Sequence, residues 1–474
     1  MPSDALKVVV VGAGPAGVMA ALRAAEIGAR TTLVTKGAFG GMAAHDGPVP
    51  VRTLAHAARL LMGARDLGRY GIAIGEPQLS YPGLLARVQE VVAGVAQGST
   101  LRADADQLGV EVIEHAGNVR FLDAHTLEDG QGKRLVADRV ILCTGGASRP
   151  LAVPGAELTA THSDAWGLTE VPPSLLVVGG GMTGLQVASI FHAFGARVQV
   201  FQRGPRILPD EDPDVSDAVA AGLRMRGIVL REGFGTIESF EPAAQGTRMW
   251  FTKDGRRESA EAALVVVAVG WRADAEALGL EAAGVALDDK GFVRVDEFLA
   301  TSVPHVFAAG DVTGRSVLVP PAVLDGHVAA TNAVQGRVLA SQAHAVPMGG
   351  YTDPEYAHAG LTVEEARREF DPVVGIVRFE ETTRTIVDGR TAGFCKLVAD
   401  RATRRILGCQ VVGERAADIV QAVAIAMAGN LRVDELARLP LAFPTYVGIL
   451  PRAAFRAARA IDGELVAPLQ DFLE

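Results

Sequence analysis

Residues 7–17 read KVVVVGAGPAG, an apolar run that ends in three spaced glycines. The consecutive valines predict a buried parallel strand, and the alanine-rich run that follows predicts a helix. Between them, Gly12 makes a tight turn, Gly14 lets the backbone approach a pyrophosphate, and Gly17 lets the helix pack closely on the strand. The N-terminus of the helix then faces the phosphates. The stretch therefore predicts a dinucleotide-binding turn.

A second stretch repeats this pattern. Residues 175–178 predict a strand that runs into Gly179, Gly181 and Gly184 at the same spacing, and a helical run and a strand at residues 196–201 follow. One such glycine pattern is weak evidence by itself, but two of them in one chain predict two dinucleotides. We expect the pair to be a bound flavin and a nicotinamide that comes and goes.

Three further strand ends are typical of nucleotide-binding sheets. Residues 140–146 (VILCTGG) and 264–270 (LVVVAVG) each predict a strand that closes on glycine. Residues 301–311 predict a strand that ends in Gly310 and Asp311, and a helix of small residues follows. A carboxylate at the end of a strand can accept a hydrogen bond from a ribityl hydroxyl, while the helix N-terminus faces the flavin ring.

Length and composition favour a large α/β protein. The 474 residues predict about three domains. A hydrophobic share of 49% with 54 glycines suits buried parallel strands joined by tight turns. The net charge of -10 argues against a nucleic-acid partner, which would require a basic surface. Because the sequence shows neither a signal peptide nor an apolar run of about 18 residues, we expect a cytoplasmic protein without a membrane span.

The three cysteines of the chain are Cys143, Cys395 and Cys409, and each lies in an apolar context. They form neither a Cys-x-x-Cys pair nor a metal-ligand spacing. We therefore expect buried, inert thiols and no metal site.

These motifs resemble the pyridine nucleotide-disulfide oxidoreductase family, which includes lipoamide dehydrogenase, glutathione reductase and mercuric reductase. Residues 351–355 (YTDPE) and 360–362 (GLT) extend the resemblance into the C-terminal part. It implies a homodimer with FAD and NAD(P)H bound in two Rossmann-like α/β domains, and an α+β dimerisation domain after them. The boundaries that it predicts are 1–150 with 280–345 for the FAD domain, 151–279 for the NAD(P)H domain and 346–474 for the dimerisation domain.

The chain departs from this family where the family carries out its disulfide chemistry. Family members have a Cys-x4-Cys pair beside the flavin, and residues 40–52 (GGMAAHDGPVPVR) place Ala43 and Pro48 at those two positions. The family's C-terminal histidine and glutamate have become Phe443 and Gly448. Because alanine and proline supply no thiolate, the sequence predicts that disulfide and mercury reduction do not occur through this site.

The resemblance also suggests residues that tune a flavin lacking a disulfide. Arg52 replaces a family lysine near flavin N5, and Gln186 replaces the glutamate that pairs with it, so a cation would lack its counter-anion there. The alternative is that Arg52 is a surface arginine at the start of a helix. His45 and Tyr446 are candidate proton donors, although a loop histidine is more often only solvated. Phe443 would complete an apolar slot for a flat acceptor.

The choice of nucleotide follows from residues 198–206, the stretch around the end of the strand at residues 196–201. Gln202 stands where an NAD-specific site has a carboxylate, and Arg203 and Arg206 offer positive charge to a 2'-phosphate. The sequence thus favours NADPH over NADH, although NADH-specific family members can also carry an arginine at the position of Arg206. In the FAD domain, Thr35 replaces the usual ribose-binding glutamate.

Other residues at the two turns and the strand ends are expected to contact the cofactors. Met182 either covers the nicotinamide pocket or packs in the core. The further expected contacts are Pro15, Ala16, Lys36, Gly41, Met42, Thr144, Gly145, Thr183, Gly270, Pro321 and Ala322.

The sequence as a whole favours an FAD-dependent NAD(P)H dehydrogenase of the diaphorase or quinone-reductase type. Its acceptor would be a small diffusible molecule. Two alternatives stay open at this point: a pyridine nucleotide transhydrogenase, and a flavoprotein that senses nucleotides without turnover.

Overall fold

The computed structural model describes residues 5–341 and 345–463 of the chain. Parts of the predicted domains, at residues 1–4, 342–344 and 464–474, lie outside the described residues. The helices are α1 (Pro15–Glu26), α2 (Gly41–His45), α3 (Pro48–Asp66), α4 (Tyr81–Gly98), α5 (Leu101–Gln107), α6 (His162–Trp166), α7 (Met182–Ala193), α8 (Pro213–Met225), α9 (Leu280–Ala283), α10 (Val319–Gln335), α11 (Val363–Ala366), α12 (Thr383–Val387), α13 (Ala416–Ala428), α14 (Val433–Leu436) and α15 (Ile449–Asp462).

Strands alternate with these helices along most of the chain, so the fold is mixed α/β as predicted. The strands are β1 (Lys7–Val11), β2 (Arg30–Val34), β3 (Glu111–Ile113), β4 (Arg120–Phe121), β5 (Thr126–Glu128), β6 (Arg134–Val136), β7 (Arg139–Leu142), β8 (Gly146–Ser148), β9 (Ser174–Val178), β10 (Arg197–Gln202), β11 (Val229–Glu232), β12 (Thr236–Ala243), β13 (Gly246–Lys253), β14 (Arg256–Ala262), β15 (Leu264–Val267), β16 (Trp271–Ala273), β17 (Val306–Ala308), β18 (Met348–Gly350), β19 (Tyr356–Gly360), β20 (Pro372–Arg378), β21 (Phe394–Asp400) and β22 (Ile406–Val412).

The chain divides into two compact units, and each is discontinuous in sequence. The domain boundaries given above stay a prediction. The first unit comprises Met1–Leu54, Ser80–Arg149 and Gly270–Gln342, and the second comprises Ala55–Leu79, Pro150–Val269 and Ala343–Glu474.

The first unit is built on a parallel sheet with the strand order β17-β7-β1-β2-β3. The four valines of β1 are all buried, and they pack alternately into apolar clusters on the two faces of the sheet. A sheet buried on both faces explains why the strand reads as a continuous apolar run. Helices α1 and α10 approach closely, since a Cβ on Gly326 would lie 2.2 Å from the Ala16 carbonyl oxygen.

One strand of this sheet is shorter than predicted. The sequence predicts a strand over residues 301–311, but β17 covers only Val306–Ala308. The Val303 N–H bonds to the Thr301 hydroxyl, and the Val306 N–H bonds to the Val303 carbonyl, which makes a turn. Pro304 also lacks the N–H that a sheet ladder requires. Local turn chemistry therefore replaces the first half of the strand.

The second unit contains two larger sheets. The parallel sheet has the order β11-β10-β9-β15, and a three-stranded antiparallel sheet of β12, β13 and β14 packs near it. Edge-to-face contacts among Phe201, Phe234 and Phe251 join these two, with ring centroids 5.3 to 5.7 Å apart. The other large sheet is antiparallel, in the order β18-β19-β22-β21-β20.

The five-stranded antiparallel sheet packs against helices α13 and α15 on one face. Alternate residues of β21 and β22 point into this core, which also contains Ile419 and Val423 of α13. The buried residues of α13 recur at helical spacing, as an amphipathic helix requires. Across residues 5–341 and 345–463, none of the helices combines the length and apolar character that a bilayer crossing requires.

Candidate functional site

The glycines of the first turn differ in the space around them: Gly12 and Gly17 have no room for a side chain, whereas Gly14 borders open space. Gly12 has φ +103°, and a Cβ on it would lie 2.2 Å from the Cys143 carbonyl oxygen. A Cβ on Gly17 would lie 1.7 Å from the Gly12 carbonyl oxygen, so helix and strand touch there. Apart from its chain neighbours, no described atom lies within 4 Å of a Cβ built on Gly14, the N-cap of α1. The open space at Gly14 fits the approach of a phosphate to a helix N-terminus.

The loop after β2 lies against this turn. The Gly40 N–H bonds to the Ala13 carbonyl at 2.9 Å, and a Cβ on Gly41 would lie 2.8 Å from the Gly14 Cα. Met42 follows with its side chain 38% exposed. The predicted contact residues Gly41 and Gly14 are therefore adjacent in space.

At the end of β2, Thr35 is buried and Lys36 is exposed. Both backbone groups of Thr35 are bonded, the N–H to the Ile113 carbonyl and the carbonyl to the Ala116 N–H. Glu114, which the sequence reasoning missed, accepts the Phe39 N–H at 2.7 Å. Glu114 thus shapes the backbone of the loop after Thr35, the residue that the sequence resemblance aligns with a ribose-binding glutamate.

Asp311, Thr144 and Arg272 form a further cluster, in which two buried polar atoms lack a hydrogen-bond partner among the described residues. Asp311 begins a short 3-10 helix after β17. Burial raises the pKa of its carboxyl to about 6, although its own backbone N–H counteracts the shift. Among the described residues, none hydrogen-bonds to the buried Thr144 hydroxyl or to the buried Nε of Arg272. Orphaned polar groups of this kind fit the ribityl and phosphate oxygens of FAD.

Small residues surround this carboxylate. A Cβ on Gly310 would lie 3.0 Å from the Ala16 Cβ and 3.5 Å from the Ala322 Cβ. Gly145 has φ +81°, and its carbonyl accepts the Asp274 N–H. Pro321 lies in the first turn of α10. The structure therefore brings Ala16, Gly310 and Ala322 together beside the glycine turn.

Arg272 is a second residue that sequence reasoning missed. It lies on β16, which pairs with β8 through Trp271 and Ser148. Its guanidinium also bonds to Glu276 at 2.6 Å. The signal was available in part, because β16 directly follows Gly270, a strand end that the sequence had already indicated.

Residues 40–52, which the sequence resemblance aligns with the family's cysteine loop, contain helix α2 and the start of α3. Helix α2 ends where the Gly47 N–H bonds to the Met42 carbonyl at 2.7 Å, and Pro48 begins α3. Ala43 is half-buried and Pro48 is exposed. His45 is exposed, and its Nε2 lies 3.0 Å from the Phe39 carbonyl oxygen. Arg52 is half-buried in the second turn of α3.

All three cysteines are buried, as the sequence predicts. Burial raises the pKa of the Cys143 thiol to about 12. The sulfurs of Cys395 and Cys409 lie 3.8 Å apart in the core of the antiparallel sheet, a contact that sequence spacing does not reveal. Within the described part of the chain, no three His, Cys, Asp or Glu side chains are grouped to hold a metal ion.

The second glycine turn repeats the first in its own unit. Gly179 has φ +112°, and its Cβ would lie 2.2 Å from the Ala268 carbonyl oxygen. A Cβ on Gly184 would lie 2.0 Å from the Gly179 carbonyl oxygen. Gly181 matches Gly14, since a Cβ there meets no described atom within 4 Å beyond its chain neighbours.

Gln202 and the arginines after it lie at the end of β10. The Gln202 side-chain oxygen accepts the Gly180 N–H at 2.9 Å, so this amide holds the glycine turn. Arg203 is exposed. The Arg206 guanidinium donates to the Pro209 carbonyl at 3.3 Å, and its buried Nε has no hydrogen-bond partner among the described residues.

Helix α7 starts at this turn. Met182 and Thr183 are half-buried in its first turn. Gln186 is buried, and its side-chain nitrogen donates to the Met182 carbonyl at 3.3 Å. Gly270, which belongs to the first unit, has φ +116°.

The C-terminal candidates differ in exposure. The Phe443 side chain is 45% exposed. The Tyr446 hydroxyl donates to the Asp388 carboxylate at 2.8 Å, and the Arg384 guanidinium lies 5.5 Å from the centre of its ring. Burial, together with the hydrogen bond and charge of Asp388, raises the pKa of Tyr446. Tyr446 is therefore a weak acid engaged in a local network.

Comparison with known proteins agrees with this arrangement. A protein family described as pyridine nucleotide-disulphide oxidoreductase matches residues 6–326, and its dimerisation domain matches residues 346–454. Dihydrolipoyl dehydrogenase 2 of Haloarcula marismortui is 31% identical over 472 residues, which are 97% of each chain. A mercuric reductase of Lysinibacillus sphaericus is 29% identical over 436 residues, covering 91% of this chain and 79% of that protein.

A solved structure extends the likeness to three dimensions. The crystal structure of LpdA from Mycobacterium tuberculosis superposes with a TM-score of 0.84 at 26% identity, covering 95% of this chain and 99% of that one. FAD and a pyridine nucleotide are the cofactors expected for such proteins, and the dimerisation domain indicates a homodimer. The chain belongs to the pyridine nucleotide-disulphide oxidoreductase family.

Proposed function

We propose that this flavoprotein passes hydride from NAD(P)H through FAD directly to a small diffusible acceptor, in the manner of a diaphorase or quinone reductase. One observation carries the proposal: the loop at residues 40–52 contains no thiol, because Ala43 and Pro48 stand at the family's cysteine positions. The relatives named above are a dihydrolipoyl dehydrogenase and a mercuric reductase. Without a thiolate beside the flavin, neither chemistry has its nucleophile or metal ligand.

The remaining cysteines do not replace the lost pair. Cys143 lies at the end of β7, and burial holds its pKa at about 12, so its thiolate is scarce at neutral pH. Cys395 and Cys409 lie in the core of the antiparallel sheet and are fully buried. The only electron carrier that the proposal requires is therefore the flavin.

The first unit supplies the proposed flavin site. The α1 N-terminus at Gly14 would hold the pyrophosphate, and Asp311 would accept a hydrogen bond from the ribityl chain. Bound FAD supplies the hydride chemistry. Arg52 is proposed to place a positive charge near the ring, which favours the added negative charge.

The acceptor side of the proposed site is apolar. Ala43 and Pro48 present small or aliphatic surfaces. Phe443, the aromatic residue that the family resemblance assigns to this slot, has a side chain that is 45% exposed. Such a lining suits a flat, apolar acceptor such as a quinone. For the proton that accompanies the hydride we favour His45, because the Tyr446 hydroxyl is engaged with Asp388.

The second unit supports NADPH as the preferred donor. Gln202, the last residue of β10, is an uncharged amide that is bonded to Gly180, so it does not repel a 2'-phosphate. The Glu232 carboxylate, which is opposite Gln202 on β11, accepts hydrogen bonds from the Ile207 N–H and the Arg224 guanidinium. Arg203 is exposed beside it, and Arg206 has a buried Nε without a described partner. Two guanidinium groups can bind a phosphate through charge-assisted hydrogen bonds.

The test is an anaerobic titration of the purified flavoprotein with NADPH and with NADH, followed by flavin absorbance. We expect bleaching after two electrons per flavin, and rapid reoxidation by a quinone. Uptake of four electrons would reveal a second redox centre and contradict the proposal. Failure to bleach with either nucleotide would favour a sensing role, and mutual competition between two nucleotides at one pocket would favour transhydrogenation.

A matched pair of variants tests the nucleotide assignment. Arg203→Gln should raise the KM for NADPH about tenfold and leave that for NADH within about twofold, because one phosphate contact is removed. Arg197→Gln is the control, since Arg197 is exposed at the other end of β10. Equal effects of the two substitutions would contradict the role of Arg203.

A further inference from the structure

The five-stranded antiparallel sheet of the second unit contains a row of buried and partly buried polar side chains. His358 on β19 pairs directly with Gln410 on β22, and Gln410 pairs directly with Lys396 on β21. Directly paired residues point to the same face of a sheet, and this face is opposite to the core formed with α13 and α15. Lys396 is only 4% exposed. A buried ammonium is strongly unfavourable unless it is paired.

The partners of this row come from the end of the segment between β10 and α8 and from the first turn of α8. The Lys396 Nζ donates to the Asp212 carboxylate at 2.7 Å and to the Asp214 carboxylate at 2.6 Å. The His358 Nδ1 lies 2.9 Å from the Glu211 carboxylate. Asp212 is the N-cap residue of α8. The dimerisation domain therefore holds the end of the segment that carries the nucleotide-binding arginines.

This segment, residues 203–212, is also held at its middle and contains a strained residue. Leu208 has φ +46°, a left-handed conformation that is unfavourable for leucine. Its N–H bonds to the Gly180 carbonyl at 2.8 Å, and the preceding Ile207 carbonyl accepts the Ser216 hydroxyl. Strained backbone of this kind persists only where its surroundings hold it, and it is concentrated at ligand-binding segments.

We propose that Lys396 and His358 are positioning residues for NADPH. By binding Asp212, Asp214 and Glu211, they fix segment 203–212 so that Arg203 and Arg206 meet the 2'-phosphate. This inference rests on the proposed assignment of NADPH to the second glycine turn. Neither side chain would contact the nucleotide, and both would act through the segment that they hold.

His358 adds a dependence on pH. Burial by itself lowers the pKa of His358, but the hydrogen bond and charge of Glu211 outweigh it, and Glu365 and Asp212 add to the increase. Tyr356 on the same strand also faces Glu211. The protonated imidazole pairs best with Glu211, so the anchor weakens as the pH rises through the raised pKa. Binding of NADP+ should weaken over the same pH range.

The experiment measures dissociation constants of NADP+ and NAD+ for the FAD-loaded dimer, with kcat at saturating NADPH. Lys396→Met should weaken NADP+ binding about tenfold, which is a typical coupling between sites. Binding of NAD+ and kcat should change less than about threefold. Arg401→Gln is the control, because it removes an exposed ion pair with Asp371 beside the same sheet.

Two further variants test the proposal if Lys396→Met does not fold. Lys396→Met with Asp212→Asn leaves no unpaired buried charge, since Asp214 is 46% exposed. His358→Gln keeps a hydrogen-bonding side chain and should remove the loss of NADP+ binding that follows the raised His358 pKa. The dependence that comes from the 2'-phosphate, whose second pKa is about 6, should remain. Unchanged NADP+ binding in these variants, or equal weakening for both nucleotides, would overturn the positioning role. A wild-type protein that binds neither nucleotide would instead refute the proposed function.

Discussion

Gly12 and Gly14 are two residues apart and are restricted in different ways. A methyl group on Gly12 would collide with the Cys143 carbonyl, whereas one on Gly14 would project into open space. Gly14 also has φ -74°, which alanine adopts freely. We therefore predict that Gly14→Ala folds normally and binds FAD at least about tenfold more weakly, because the methyl occupies the path of the pyrophosphate.

The measurement is the flavin-to-protein absorbance ratio together with the FAD dissociation constant and the melting temperature of the flavin-free protein. Gly12→Ala is the contrasting variant, and we expect it to lose about 2–4 kcal/mol of stability through the clash and its φ of +103°. Full flavin retention by Gly14→Ala would show that the phosphate does not pass this residue.

Asp311 gives the flavin-free protein a pH-dependent weakness. Burial raises the pKa of its carboxyl from 3.8 to about 6, so the folded state binds this proton more tightly than the unfolded state. Stability is therefore lost as the pH rises from about 4 to about 6. We predict that Asp311→Asn stabilises the flavin-free protein by about 1–2 kcal/mol at pH 8 and has no such effect at pH 4.

Urea unfolding of the flavin-free wild type and variant at the two pH values checks this. The same substitution should weaken FAD binding, because an amide is a poorer acceptor for a ribityl hydroxyl than a carboxylate. A variant that is less stable than the wild type at pH 8 would mean that the carboxylate has a stabilising partner in solution.

Helices α2 and α3 meet in the stretch that the sequence resemblance aligns with the family's disulfide loop. Ala43 lies in α2, and Pro48 begins α3. Between the two helices, the Gly47 N–H donates a hydrogen bond to the Met42 carbonyl. Two cysteines introduced here would also lack the C-terminal acid and base, since Phe443 and Gly448 remain. We predict that Ala43→Cys with Pro48→Cys gives no measurable reduction of lipoamide or glutathione.

Steady-state assays with NADPH and each disulfide test this prediction, and quinone reduction by the same variant serves as the control for an intact flavin site. Appreciable disulfide turnover would show that the acid and base are dispensable. A thiol pair alone does not complete disulfide exchange, because the proton transfers also require an acid and a base.

At the level of the whole chain, the proposed flavin contacts are confined to one of the two compact units. We predict that removal of FAD speeds amide hydrogen exchange at the β1–α1 turn and at residues 310–322. Strands β21 and β22 should keep their protection, since all their residues are buried in another unit. Ligand binding stabilises the native state of the part that it contacts.

Hydrogen exchange with mass spectrometry on the FAD-loaded and flavin-free forms provides the measurement. Refilling with FAD should restore the original exchange rates, which controls for damage during removal. Equal loss of protection in β21 and β22 would mean that the two units unfold together, and the flavin would then stabilise the entire molecule.

Much of this protein can be predicted from the sequence because the relevant forces are local. The strand-glycine-helix stretches at residues 7–17 and 175–184 follow from steric limits on the backbone. The burial of the three cysteines follows from their apolar neighbours. The missing thiols at Ala43 and Pro48 are visible in the letters alone.

Only the tertiary structure reveals contacts between distant residues. Lys396 and Asp212 are 184 residues apart in sequence, and His358 and Glu211 are 147 apart. The contact of Cys395 with Cys409 likewise depends on strand pairing. Long-range partners are chosen by how strands and helices pack, and no local pattern encodes that choice. The sequence alone determined the two glycine turns and the presence of Ala43 and Pro48 instead of cysteines, while packing decided which charged residues contact residues 211–214.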